Sequence, residues 1–175
     1  MDPFGILAEQ YRPMVVTYLT SLTGDAELAE DLVQETFIAA CGAMGTFEKG
    51  GNFGAWLRGI ARNKALENRR AAGRRRVITD TRVVEGMEDV YAALDAPHPH
   101  AETWEDRLAV LHDCIAKLSK HLKTAVEQVY MYNKPLKQAA AFLGVSLAAV
   151  AQRLHRARGL LRECVSLTLA EGRER

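Results

Sequence analysis

The side chains best suited to chemistry in this sequence are cationic, and they are sorted by segment. Between Asn52 and Arg76 stand Arg58, Arg62, Lys64, Arg69, Arg70, Arg74, Arg75 and Arg76, against Glu67 alone. Between Cys114 and Arg162 stand Lys117, Lys120, Lys123, Lys134, Lys137, Arg153, Arg156, Arg158 and Arg162, against Glu127 alone. The remaining stretches are acidic. Residues 25 to 48 hold Asp25, Glu27, Glu30, Asp31, Glu35 and Glu48 and no base, and residues 77 to 113 hold nine acids against Arg82 and Arg107. A net charge of +1 hides this pattern. Two separate basic surfaces point to two separate polyanion contacts, because clustered Lys and Arg gain affinity by releasing condensed counterions. The acidic neighbours should restrain indiscriminate phosphate binding, so a fragment spanning 104–175 is expected to hold DNA better than the whole chain.

Covalent and metal chemistry find no comparable support. His98-Pro-His100 falls in a polar, proline-bearing stretch, and His112 and Cys114 stand two apart in a helical pattern, on different faces. Neither spacing suits zinc. No glycine-rich phosphate loop, nucleophile elbow or isolated carboxylate pair is present. No enzyme activity, cofactor or metal is therefore expected. Cys41, Cys114 and Cys164, widely spaced and odd in number, are poor material for a disulfide framework and predict buried, reduced thiols. The opening MDPFGILAEQ lacks the basic-then-apolar order of a secretory signal, and no run approaches the about 18 to 20 apolar residues of a membrane helix. A cytoplasmic setting without a membrane span is expected.

The elements that must position these cations are helices, since strand-like alternation is almost absent. Leu7, Tyr11, Met14, Val15, Tyr18 and Leu22 form one stripe that stops at Thr23-Gly24. Asp25 is placed to cap a second helix running toward Gly45. The loop GTFEKGGN follows, and a third helix begins near Phe53 and decays into Arg74-Arg75-Arg76. Residues 77–103 read as a linker carrying at most one short helix in MEDVYAAL. Periodicity resumes near Trp104 and carries through Leu108, Leu111, Ile115, Leu118, Leu122, Val126 and Val129, before PLKQAAAFLGVS and a last helix from Leu147. The fold expected is all-α: two small helical domains, 1–76 and 104–175, joined by a flexible linker, 77–103.

The sharpest local signal is QAAAFLGVSLAAVAQRLHRAR, residues 138–158. A helix ends at Leu143, Gly144 permits a sharp turn and Ser146 suits the next N-cap, which together predict a helix-turn-helix. Leu147, Val150, Leu154, Ala157 and Leu161 recur at core spacing, leaving Ala149, Gln152, Arg153 and Arg156 on the opposite face. That face suits a major groove: Gln pairs with adenine, Arg with guanine or phosphate, and Ala admits a thymine methyl. Lys134 and Lys137 are placed to touch backbone phosphate. This motif alone leaves a stand-alone DNA-binding regulator open, and a protein-interaction module whose acidic helix binds a basic partner is a third reading.

Both halves resemble the extracytoplasmic-function sigma factors of bacterial transcription. The likeness rests on AEDLVQETF (29–37) and FGAWLRGIARNKALENRR (53–70) in the first half, and on LGVS (143–146) followed by QRLHRARGLLRE (152–163) in the second. It implies docking of the acidic helix on the clamp helices of the largest subunit of core RNA polymerase, through Asp31, Gln34, Glu35, Phe37 and Ile38, with Phe37 as the exposed aromatic anchor. It implies that the loop Phe47, Glu48, Lys49, Gly50, Gly51 and Asn52, with Arg58, Arg62, Asn63, Lys64, Arg69 and Arg70, reads the minus-ten element as it melts. A flipped base needs a pocket, polar edges and nearby positive charge. Trp56 reads as core before base-stacking.

The second half would read the minus-thirty-five duplex through Lys134, Lys137, Ser146, Ala149, Gln152, Arg153, Arg156 and Arg158. Val126, Tyr130 and Tyr132 are candidates for docking on the flap of the second-largest subunit. Promoter DNA and an anti-sigma factor complete the partners that the resemblance implies. The sequence departs from the family where Cys41 replaces a common tryptophan, where Ser119 stands near a usual helix-opening proline, and where Ala149 and Ala151 replace threonine and lysine.

Overall fold

The computed structural model describes residues 3–71, 83, 85–96 and 103–171. These fall into two helical units, Met1–Ile78 and Thr79–Arg175, and no strand occurs among them. The basic run Arg74–Arg76, His98, His100 and the tail beyond Glu171 lie outside the described residues. Among the described residues no helix is long and apolar enough to cross a membrane.

The first unit packs three helices: α1 (Pro3–Thr23), α2 (Ala26–Ala43) and α3 (Phe53–Ala71). Gly24 closes α1 at φ +66, a left-handed conformation that favours glycine. Asp25 then caps α2 as its position predicts, its Oδ1 accepting from the amides of Glu27 and Leu28 at 3.1 Å. Met14, Val15, Tyr18, Leu19 and Leu22 of α1 meet Ala29, Leu32, Val33 and Ala40 of α2, all buried. From α3 come Leu57, Ala61 and Ala65. Arg12 pairs with Glu30 across the rim of α1 and α2.

The second unit contains α4 (Glu88–Asp95), α5 (Trp104–Lys117), α6 (Lys120–Val126), a π-helical turn (Glu127–Met131), α7 (Leu136–Leu143) and α8 (Leu147–Glu171). The short helix expected in 77–103 is α4, but it does not stand free. It packs on α8, burying Val90, Tyr91 and Leu94. The Leu94 carbonyl accepts from Arg107 Nη1 of α5 at 2.7 Å. Ahead of it, Val83 is buried in a cluster with Leu122, Val126, Val129, Val150 and Leu154. The weak periodicity of MEDVYAAL concealed this because so short a helix offers only about two turns of apolar stripe.

Thr103 opens α5 with a reciprocal capping box to Asp106. The single long helix that periodicity carries from Trp104 to Val129 is instead broken. Leu118 turns extended (ψ 147), ending α5, and α6 starts one residue after Ser119. Periodicity misses this break because Leu118 and Leu122 keep helical spacing on either side of it.

The expectation of three buried, reduced thiols is corrected. Cys114 of α5 and Cys164 of α8 are joined in a disulfide, and Cys41 is free and exposed on α2. Sequence spacing could not reveal the pair, since the two cysteines lie 50 residues apart and meet only where α5 packs on α8.

Candidate nucleic-acid interfaces

In the first unit α2 presents an acidic outer face. Asp31, Gln34 and Glu35 are exposed, while Leu32 and Val33 are buried. The aromatic anchor is corrected: Phe37 is half-buried, edge-on to the Phe4 ring at 6.5 Å. Ile38 stands out instead, 74% exposed. A large aliphatic side chain beside carboxylates is a suitable anchor for a basic, amphipathic partner helix.

The loop after α2 is built on an aromatic cluster. The Phe47 ring lies 5.4 Å from Phe53 and 5.3 Å from Trp56, and Tyr11 meets Phe53 at 5.0 Å. With its floor fixed in this way, the loop carries Glu48, Lys49, Gly50 and Gly51 outward, all exposed. Gly50 takes φ +88. At Gly51 a Cβ would stand 3.0 Å from the Glu48 carbonyl, so a larger residue there would have to shift the turn by a few tenths of an ångström. Trp56, expected as core, is half-buried and forms a wall of this cluster rather than part of the buried face of α3.

The polar residues divide in a way the sequence did not foretell. The Asn52 side-chain carbonyl accepts from the Ala55 amide at 2.9 Å, so Asn52 starts α3 and its oxygen is committed to that cap. Arg58, expected to hold phosphate, is buried to 1% exposure, with Nη1 4.0 Å from the Met14 sulfur. It cannot reach a strand of DNA. The 3.6-residue repeat puts Arg58 next to Leu57 and Ala61 on the inner side of α3, a signal the charge count overlooked. Asn63, Arg69 and Arg70 are exposed, and Arg62 and Lys64 are partly so. Lys64 Nζ donates to Glu67 at 2.9 Å, and that hydrogen bond, with the carboxylate charge, pushes its pKa above the usual lysine value. It stays a cation.

In the second unit the turn forms as its residues predict. Gly144 sits at φ +64, and the amide of Val145 donates back to the Ala140 carbonyl at 3.1 Å. Ser146 Oγ accepts from the Ala149 amide at 3.1 Å, capping α8. Val150, Leu154, Ala157 and Leu161 face inward, but Leu147 does not: it is 53% exposed and lines an open cavity of about 360 Å³ with Val83, Leu136 and Ala151. Gln152 and Arg156 are exposed and Ala149 and Arg153 half-exposed on the outer face. Lys137 is exposed, whereas the Lys134 ammonium sits over the Phe142 ring, 4.0 Å from its centroid.

Arg158 is turned elsewhere. Its Nη1 donates to the Tyr130 hydroxyl at 3.2 Å, which donates to the Val83 carbonyl at 2.8 Å. The guanidinium lies where a Cβ on Gly86 would be, at 2.2 Å. Arg158 therefore fastens the segment ahead of α4 to the helix-turn-helix. Burial raises the Tyr130 pKa, partly offset by this guanidinium. Of the flap candidates, Val126 is buried, Tyr130 is tied down, and Tyr132 is 64% exposed.

Two helical units, the second with a helix-turn-helix and each with an exposed basic helix, match the two parts of one bacterial family in order. Residues 7–75 match Sigma-70 region 2 and residues 108–161 match Sigma-70, region 4. The ECF RNA polymerase sigma factor SigL of Mycobacterium tuberculosis is 33% identical over 173 residues, covering 94% of this chain and 88% of that one. The RNA polymerase sigma-H factor of Pseudomonas aeruginosa is 28% identical over 171 residues, covering 96% and 89%. The ECF sigma factor SigF of Caulobacter vibrioides is 31% identical over 162 residues, covering 93% and 83%. The chain belongs to the extracytoplasmic-function sigma factors of the sigma-70 family. That membership displaces the stand-alone regulator and the DNA-free interaction module.

Proposed function

We propose that the chain works in the bacterial cytoplasm as a non-enzymatic initiation subunit, binding core RNA polymerase and gripping a promoter at two points. Helix α2 docks on the clamp helices of the polymerase through Asp31, Gln34, Glu35 and Ile38. The loop Phe47–Asn52 and the exposed cations and amide of α3 hold the melting minus-ten strand, with Asn63 offering a base edge and Arg62, Lys64, Arg69 and Arg70 offering charge to phosphates. Helix α8 enters the major groove of the minus-thirty-five duplex with Gln152, Arg153 and Arg156, while Lys137 touches backbone. Tyr132 is available to the flap.

One observation carries this reading: an exposed basic helix behind a glycine-bearing loop on an aromatic floor in one unit, and a capped helix-turn-helix in the other. The first suits unpaired DNA, which must be splayed and held; the second suits duplex. The test is transcription in vitro with core polymerase on a promoter library. Asn63→Ala with Lys64→Ala is expected to impair promoter opening by tenfold or more while leaving polymerase affinity within about twofold. The reverse pattern would refute the assignment.

A further inference from the structure

In the second unit Cys114 is buried on α5 and Cys164 half-buried on α8, their Cα atoms 5.9 Å apart and their sulfurs bonded. We propose that this pair is a reversible-oxidation site, taking a low-molecular-weight disulfide as oxidant and a small thiol as reductant, whose closure clamps the unit that carries the helix-turn-helix. The reversibility rests on the function proposed above. A subunit that works on chromosomal DNA sits among reducing thiols, and disulfides found in that setting are typically transient and redox-sensing.

The geometry favours both states. Helices α5 and α8 pack against each other through apolar side chains as well as through the sulfurs, with Val110, Leu111 and Ile115 buried on one and Leu161 and Val165 on the other, a contact that does not require the sulfur–sulfur bond. The thiols therefore stay adjacent after reduction, and closure needs no rearrangement. The ring that closure makes spans 50 residues and encloses α6, the π turn, α7 and the groove-reading end of α8. Constraining a loop of this length in the unfolded chain changes the folded-to-unfolded ratio by roughly a thousandfold.

The exchange balances. Cys164, the less buried of the two residues, attacks the small disulfide as a thiolate, forming a mixed disulfide and expelling one small thiolate. Cys114, having lost its proton to solvent, attacks the Cys164 sulfur and expels the second. Two protein thiols become one disulfide while one small disulfide becomes two small thiols; reduction runs the same steps backward. Cys41, exposed on α2 in the other unit, takes no part.

The test uses the full chain carrying Cys41→Ser, equilibrated in glutathione buffers from oxidised to reduced, acid-quenched and alkylated in denaturant. Intact mass should show no alkyl group at the oxidising end and two at the reducing end, with the crossover inside the glutathione range. Two groups in every buffer would mean that the pair does not close, and none in any buffer would make it a permanent staple; either result overturns the proposal. The melting transition of the second unit should rise by about 10 °C or more on closure. Equal melting of the closed and open chains would overturn the clamp. A chain with Cys114→Ser and Cys164→Ser should melt like the reduced form in both buffers; if it fails to fold, the reduced Cys41→Ser chain supplies the same comparison. None of these measurements needs DNA or polymerase, so failure of promoter-directed transcription would sink the proposed role without touching the outcome for the thiols.

Discussion

Arg156 and Arg158 stand two apart on α8 and do different work. Arg156 is exposed on the outer face, so Arg156→Ala should remove one phosphate or base contact and lower the salt slope of DNA binding by about 1. Arg158 is spent on Tyr130 and the Gly86 segment. Arg158→Ala should leave that slope unchanged and instead lower the melting temperature of the second unit; a slope change equal to that of Arg156→Ala would restore it to the DNA contacts. Tyr130 gives a further test. Its pKa is raised by burial above the ordinary value of 10.0, so the folded state favours the neutral phenol. That contribution is whole below pH 10 and is lost as pH rises from the unfolded value through the folded one. Thermal melts across pH 9 to 11 should show a fall in stability that Tyr130→Phe reduces. In the first unit, Arg58→Ala should cost about 3 kcal/mol in chemical denaturation, because it empties the space that a fully buried long side chain fills beside Met14.

Single elements set where the contacts point. The local geometry of the helix-turn-helix depends on two residues: Gly144, whose φ of +64 suits glycine, and Ser146, whose hydroxyl caps α8. Replacing either with alanine should destabilise the second unit by about 1 kcal/mol, measured by thermal unfolding. Helix α2 is the docking element in the function proposed here, and its one large exposed aliphatic is Ile38. Ile38→Asp should weaken core polymerase binding at least tenfold in a pull-down or anisotropy titration while leaving the melting temperature of the chain within about 2 °C, since an exposed position contributes little to folding.

For the molecule as a whole, the boundary of the second unit matters more than the run of charge along it. A fragment 104–175 would lose Val83, Val90, Tyr91 and Leu94, all buried against the helix-turn-helix unit. The expectation that removing the acidic segment improves DNA binding therefore cannot be tested by that cut. A fragment 79–175 keeps the unit intact. It should unfold cooperatively, whereas 104–175 should melt broadly and at lower temperature by circular dichroism. Charge reversal at the exposed Asp89 within the full chain is the cleaner way to test the acidic restraint.

The sequence alone determined the helical class, the separation of two basic surfaces, the Asp25 cap and the turn at Gly144 and Ser146. All of these follow from local physics: side-chain period, backbone freedom and the satisfaction of helix-end amides within a few residues. Tertiary structure alone decided the fate of individual charged and sulfur-bearing side chains. Arg58 and Arg158 count as cations in any tally, yet one is folded inside α3's packing face and the other is drawn to a tyrosine 28 residues away. Helix α4 joined the second unit because Val90, Tyr91 and Leu94 could be buried there, a gain that no eight-residue window can display. Cys114 and Cys164 became neighbours only once α5 lay on α8. Contacts between residues distant in the chain are fixed by which surfaces pack, and that is settled by the sum of buried area over whole helices rather than by the pattern along any one of them.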